Sequence, residues 1–183
     1  MKRSSFAVGL ILLVFAISLR AQTQAPKPDP EIGKFDVFLG HWTYVTEYKA
    51  SPLGPASKTS GEFTCRKILG GFFFQNEFIE RGSGGETRAI EMIGYDTVNK
   101  KFFTHEYVST GMMFSGTYAP NGNSWSYAGK LMVMGKPYLI RTVLTPAADS
   151  TSFTVKGEIS SDGKAWAPFF EALNTRARPV LGK

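Results

Sequence analysis

Two histidines, His41 and His105, are the side chains in this 183-residue chain best suited to moving protons near neutral pH or to binding a metal. Their settings argue against both roles. His105 and Glu106 are consecutive in a stretch that reads as a strand, so their side chains point to opposite faces and cannot form an adjacent base and orienter. A metal centre needs three or four convergent ligands. With no third histidine and with Cys65 the single cysteine, neither a metal nor a cofactor is expected. Arg81-Gly82-Ser83-Gly84-Gly85 has the look of a phosphate loop, but it leads into alternating Glu86–Ile93 rather than a helix N-terminus, so a hairpin turn accounts for it. No Gly-x-Ser-x-Gly elbow offers a serine nucleophile. The acids Glu77 and Glu80, and Glu91 and Asp96, read as solvated strand residues.

What remains is a large supply of apolar and aromatic side chains. Phe72-Phe73-Phe74, Phe102-Phe103, Met112-Met113-Phe114, Met132, Met134 and Phe169-Phe170 are spread along the chain. Each is first of all core material, yet a barrel lined this way, with a few fixed polar groups, is what a small-molecule pocket requires. Polar anchors are sought at strand positions whose neighbours two residues away are apolar. Asn76 lies between Phe74 and Phe78, His105 between Phe103 and Tyr107, and Arg141 between Leu139 and Val143. Tyr44 and Tyr107 add hydroxyls. The expected ligand-binding set is therefore Tyr44, Asn76, His105, Tyr107 and Arg141, with Arg141 suited to an anionic group.

The elements that must position these residues are almost all strands. Asp29-Pro30-Glu31 supplies a cap, a first-turn proline and an early acid, and Ile32, Phe35, Phe38 and Leu39 recur at helical spacing before Gly40. One short helix over Glu31–Leu39 is expected. After Gly40 the chain alternates with period two: Trp125, Tyr127, Gly129, Leu131 and Val133 form one inward row, Tyr138, Ile140, Thr142 and Leu144 another, and Phe153, Val155, Gly157 and Ile159 a third. Short breaks separate the runs. Asn121-Gly122 and Asp162-Gly163 are expected to form tight hairpins with both central residues at positive φ. About ten strands in local succession predict an all-β, up-and-down antiparallel sheet that closes into a barrel and so removes its edges. An open sandwich is the alternative.

Composition sets the context. Lys2 and Arg3, an apolar run from Phe6 to Leu19 and the small Ala21 form the pattern of a cleavable signal peptide over residues 1–21. Its removal takes Lys2, Arg3 and Arg20 with it and lowers the net charge from +6 to +3. The remaining cations are scattered, unlike the concentrated patch of a nucleic-acid binder. A proline-rich linker follows over residues 22–30, then one domain over 31–178 and a short tail over 179–183. The expected location is periplasmic or secreted, with no stable membrane anchor after cleavage. A lone cysteine leaves the core to hold the fold without an internal disulfide.

Phe38-Leu39-Gly40-His41-Trp42, a helix-to-strand junction carrying Gly-x-Trp, resembles the opening of the lipocalin and calycin barrels. That resemblance implies a tryptophan at the barrel floor covered by an arginine from the last strand, here Arg176 or Arg178, through a cation–π contact with Trp42. A related barrel class holds haem through a histidine on one of its last strands, and Ser152–Arg178 contains none. Leu39-Gly40-His41-Trp42, Ile68-Leu69-Gly70-Gly71-Phe72, Ile93-Gly94-Tyr95-Asp96 and a following Gly116 occur in the order found in an exported bacterial lipocalin-like family, domain of unknown function 1579. The chain resembles that family over residues 31–178, which implies a calycin-like fold and brings no activity with it. The expected function is binding of a small hydrophobic or amphipathic molecule inside the barrel. The alternatives are an enzyme using the cavity with His105 as acid or base, and an envelope protein whose barrel is filled by its own side chains.

Overall fold

The computed structural model describes residues 25–177. The expected signal peptide, the first residues of the expected linker, Arg178 and the tail lie outside the described residues. Residues 25–29, the end of the expected linker, carry no regular structure. Ten strands follow in chain order: β1 (Gly40–Tyr48), β2 (Ser57–Ile68), β3 (Phe73–Gly82), β4 (Gly85–Asp96), β5 (Lys101–Val108), β6 (Met113–Asn121), β7 (Ser124–Val133), β8 (Lys136–Pro146), β9 (Ser152–Ser160) and β10 (Ala167–Arg176). Every strand pairs antiparallel with its sequence neighbours, and β1 pairs with β10 to close the barrel. Closure leaves no unpaired edge, so the sheet is an up-and-down barrel rather than an open sandwich.

Turn chemistry fixes the register, with one departure from expectation at each of the two marked hairpins. Asn121 pairs with Ser124, so the β6–β7 turn is Gly122-Asn123, and only Gly122 has positive φ (59°). Asp162-Gly163 belongs to a longer loop over residues 161–166, in which the Asp162 carboxylate accepts from the Lys164 and Ala165 amides. A side chain that ties down its own loop replaces the tight-turn geometry. The two-residue turn between β7 and β8, Met134-Gly135, has both central residues at positive φ (47° and 76°).

The helix before β1 is a 3-10 helix, Pro30–Phe38, capped by the Asp29 carboxylate accepting from the Glu31 amide at 2.9 Å. Ile32, Phe35 and Phe38 are all buried. Their strict spacing of three explains the tighter helix, because a 3-10 turn holds three residues and stacks i, i+3 and i+6 on one face. That face plugs one end of the barrel. The Phe35 ring meets Phe74, Phe102 and Trp125 at centroid distances of 5.2, 5.8 and 5.2 Å. A single further 3-10 turn, Leu69–Gly71, joins β2 to β3 among the described residues.

Trp42 completes the floor. It is 1% exposed, and its indole N–H donates to the Phe38 carbonyl at 2.9 Å, tying the plug to the first strand. Arg176 covers it from the last strand, with the guanidinium carbon 4.2 Å from the ring centroid. The same guanidinium donates to the Leu39 and Val37 carbonyls at 2.6 and 3.2 Å, capping the open end of the helix. One side chain thus joins helix, first strand and last strand at the closure point. Outside, the strands carry ion pairs such as Arg66–Glu77, Arg81–Glu86 and Arg141–Glu158, a surface suited to water rather than to acyl chains.

Candidate functional site

Above the plugged floor the barrel encloses a cavity of about 500 Å³ that opens at the opposite end, beside the loop between β1 and β2. The barrel is therefore not filled by its own side chains. The size lies in the usual range for small-molecule sites. The inward rows read from β7, β8 and β9 supply much of the wall, including Tyr127, Leu131, Ile140, Leu144, Phe153 and Val155. Glycines make room for two tyrosines. A Cβ on Gly61 would lie 2.5 Å from Cζ of Tyr44, and one on Gly129 would collide with the Tyr127 hydroxyl, so each phenol ring lies flat over a bare backbone.

The polar part of the wall is a belt of acids. Glu80 on β3, Glu91 on β4 and Glu106 on β5 all face inward. Glu91 is 4% exposed and fully engaged: Asn76 Nδ2 donates to Oε2 at 2.7 Å, and the Thr104 and Tyr118 hydroxyls donate to Oε1 at 2.7 and 3.0 Å. Burial still raises its pKa, against the pull of those three donors. Glu80 receives the Tyr48 hydroxyl at 3.3 Å, and burial likewise lifts its pKa. Glu106 stands directly opposite Glu91 across the β4–β5 ladder. Among the described residues no side chain hydrogen-bonds it. Burial first, then the charges of Glu91 and Glu80, push it from 4.5 up to about 8.

Two cavity-lining side chains carry a polar atom with no partner, and Thr59 Oγ1 on β2 is a third buried atom without one. Asn76 Oδ1 and the Tyr127 hydroxyl are buried and unsatisfied, on side chains only 6% and 7% exposed. The cavity-lining cations are Lys49, in the loop at the mouth, and Arg88, whose guanidinium turns outward to Glu86 at 2.9 Å. No cation faces the three glutamates among the described residues.

Of the five expected binding residues, Tyr44 and Asn76 line the cavity and the other three do not. His105 and Tyr107 are exposed on the outer face of β5, and Arg141 is exposed on the outer face of β8. Arg141 pairs with Glu158 at 2.6 Å and stacks on Trp166 at 4.3 Å. The flanking test misplaced His105 and Arg141 because outer faces carry apolar residues of their own. Ile90, Tyr107 and Met113 form one exposed cross-strand row on β4–β6, and Leu139 and Val143 flank Arg141 on the outer face of β8. His105 is therefore not placed to act as acid or base on a molecule inside the barrel. His41 is also outside, its Nε2 3.3 Å from Glu62, so no imidazole is available to a group held within.

The apolar supply divides in the same way. Phe74 and Phe102 pack in the floor and Met112, Phe114, Phe169 and Phe170 line the cavity, whereas Phe72, Met113 and Met134 are exposed. Among the described residues no group of three histidine, cysteine or acidic side chains is placed to hold a metal ion. Cys65 is buried beside this site, and burial pushes its thiol up to about 12, which keeps it protonated and inert.

The reading of Glu80 and Glu91 as solvated is overturned by their position. The sequence did carry a signal for Glu91. It lies between Ala89 and Ile93, which meets the same flanking test that selected Asn76.

A family model described as "Protein of unknown function (DUF1579)" matches residues 27–176. The chain belongs to that family. No curated protein matches the chain. Among solved structures, Rv2717c from M. tuberculosis is similar with a TM-score of 0.59 and 14% identity, covering 83% of this chain and 100% of that one. The S-type phycobiliprotein lyase CPES from Guillardia theta is similar with a TM-score of 0.52 and 8% identity, covering 79% and 91%. At these identities the likeness is one of fold, a lipocalin-like barrel shared by this DUF1579 protein and both neighbours.

Proposed function

We propose that this protein is an exported binding barrel that takes one small amphipathic molecule through its open end. The apolar body lies against Phe114, Leu131, Ile140, Val155 and the other hydrophobic wall residues, and the polar end reaches the belt of Tyr44, Asn76, Glu80, Glu91, Glu106 and Tyr127. The observation that carries this reading is an open, largely apolar cavity of about 500 Å³ whose wall includes two side chains with an unpaired buried polar atom. Unpaired buried polar groups are costly, by about 1–3 kcal/mol each, and a site that carries them is built to receive something. A fold shared with a protein named a phycobiliprotein lyase agrees with this reading at the level of architecture alone.

The test uses N-phenyl-1-naphthylamine, a neutral apolar fluorophore, titrated into the unaltered protein and into Ala172→Trp. Ala172 lines the cavity between Thr46 on β1 and Val155 on β9, so an indole there takes up cavity space. Saturable one-to-one enhancement that Ala172→Trp abolishes, with the thermal transition retained, is the expected result. Absence of saturable binding, or equal binding to both proteins, overturns the proposal.

A further inference from the structure

We infer that the polar end of the bound molecule is a nitrogen cation with N–H donors, a protonated amine in its simplest form, seated between Glu106 and Glu91. The inference rests on the binding reading above and names the chemical class that reading leaves open. Its first ground is charge. Three carboxyl groups face one cavity from three adjacent strands, and among the described residues no cation faces them. Side chains directly opposite on one face of an antiparallel pair stand about 4.5–5.5 Å apart at Cβ. Glu91 and Glu106 hold that relation, so a single small cation placed between them reaches both.

The second ground is hydrogen bonding, and it is independent of charge. Both oxygens of Glu91 are held by protein donors, which fixes the carboxyl group in place, whereas Glu106 is left without one. Asn76 gives its N–H to Glu91, which leaves its own carbonyl oxygen buried in the cavity wall as an acceptor with no donor. The Tyr127 hydroxyl is unpaired on the neighbouring wall. The vacant positions are therefore mostly acceptors, and an ammonium carries three donors and no acceptor. The Tyr118 and Tyr127 rings, 5.1 Å apart at their centroids, add faces that favour a cation. An ammonium seated there meets Glu106 as a carboxylate, the Glu106 proton leaving to solvent. A carboxylate-headed molecule finds no donor cation at the same place, so this cavity selects against the common fatty acids. The role expected of Arg141 toward an anion is replaced by the opposite preference.

Three ten-carbon competitors, decylamine, decanol and decanoate, are compared by displacement of N-phenyl-1-naphthylamine at pH 7, with the unaltered protein and with Glu106→Gln. Decylamine should bind at least about tenfold more tightly than decanol, with decanoate weakest. Glu106→Gln, of nearly the same shape, should bring decylamine close to decanol. Decanol or decanoate binding as tightly as decylamine to the unaltered protein overturns the cationic head while leaving the binding barrel intact. An amine preference that survives Glu106→Gln in folded protein overturns the seat at Glu106. Binding of none of the three overturns both readings. The competitor series on the unaltered protein decides the charge preference even where the variant does not fold.

Discussion

Glu106 makes a prediction about stability that needs no ligand. Its folded-state pKa is raised from 4.5 to about 8, whereas in the unfolded chain it returns to the ordinary carboxyl range. Between those values the native protein holds a proton that the unfolded chain has released, so stability falls as pH rises through this window and levels off above it. Each pH unit of difference corresponds to about 1.36 kcal/mol, which sets an upper bound of about 5 kcal/mol. The carboxyl group lies on the wall of a cavity open to solvent, and screening reduces the expected loss to about 2 kcal/mol. For a domain of this length that is a fall in Tm of about 4–8 °C between pH 5 and pH 8.5. Glu91 on β4 and Glu80 on β3 face the same space, and both have raised pKa values, so they steepen the fall in the same direction. The tyrosines around them titrate well above this range, because burial raises Tyr44, Tyr48, Tyr118 and Tyr127. Circular dichroism melts of the unaltered protein and Glu106→Gln isolate the one group. The two should coincide near pH 5, and the variant should be the more stable by about 2 kcal/mol at pH 8.5. Parallel pH profiles for the two proteins, or an unaltered protein that gains stability up to pH 8.5, would refute the placement of Glu106 in a poorly solvated interior.

Two further outcomes follow from the closure point and from the outer face. Arg176→Met keeps the length of the side chain but removes the cation over Trp42 and the hydrogen bonds to Leu39 and Val37. It should cost about 2–4 kcal/mol in urea denaturation, with the denaturant slope unchanged. His105→Ala and Arg141→Ala change only the outer surface, so neither should shift the affinity for N-phenyl-1-naphthylamine by more than about twofold, a free-energy change below about 0.5 kcal/mol.

Fold and site were legible to different depths, for a physical reason. The up-and-down order needs only strands, short turns and the absence of crossover helices, and period-two alternation in β7, β8 and β9 shows which residues face in. β7 and β9 separate apolar from polar residues across their two faces, so their inward rows could be read directly, whereas β8 sets Leu139 and Val143 on its outer face beside Arg141. β4 and β5 do not separate them. The inner row of β5 is Phe102, Thr104, Glu106 and Val108, and its outer row includes Phe103, His105 and Tyr107. An interior that carries a polar belt under an outer face that carries apolar residues erases the contrast on which face assignment depends. The acids of the belt were hidden for that reason. Asn76 was found because Phe74 and Phe78 stand on either side of it on the inner face of β3. The 3-10 helix illustrates the same point on a smaller scale: Ile32, Phe35 and Phe38 declared a helix, and their spacing of three, rather than three and four, declared its type.

The central claim is that this barrel holds a small molecule, and native mass spectrometry of the protein purified from its own cells tests it most directly. The expected spectrum shows a reproducible mass excess that disappears on denaturation and belongs to a compound with an apolar body and a basic nitrogen. A protein that carries no such mass, and that also fails to take up N-phenyl-1-naphthylamine or decylamine when they are supplied, would contradict it.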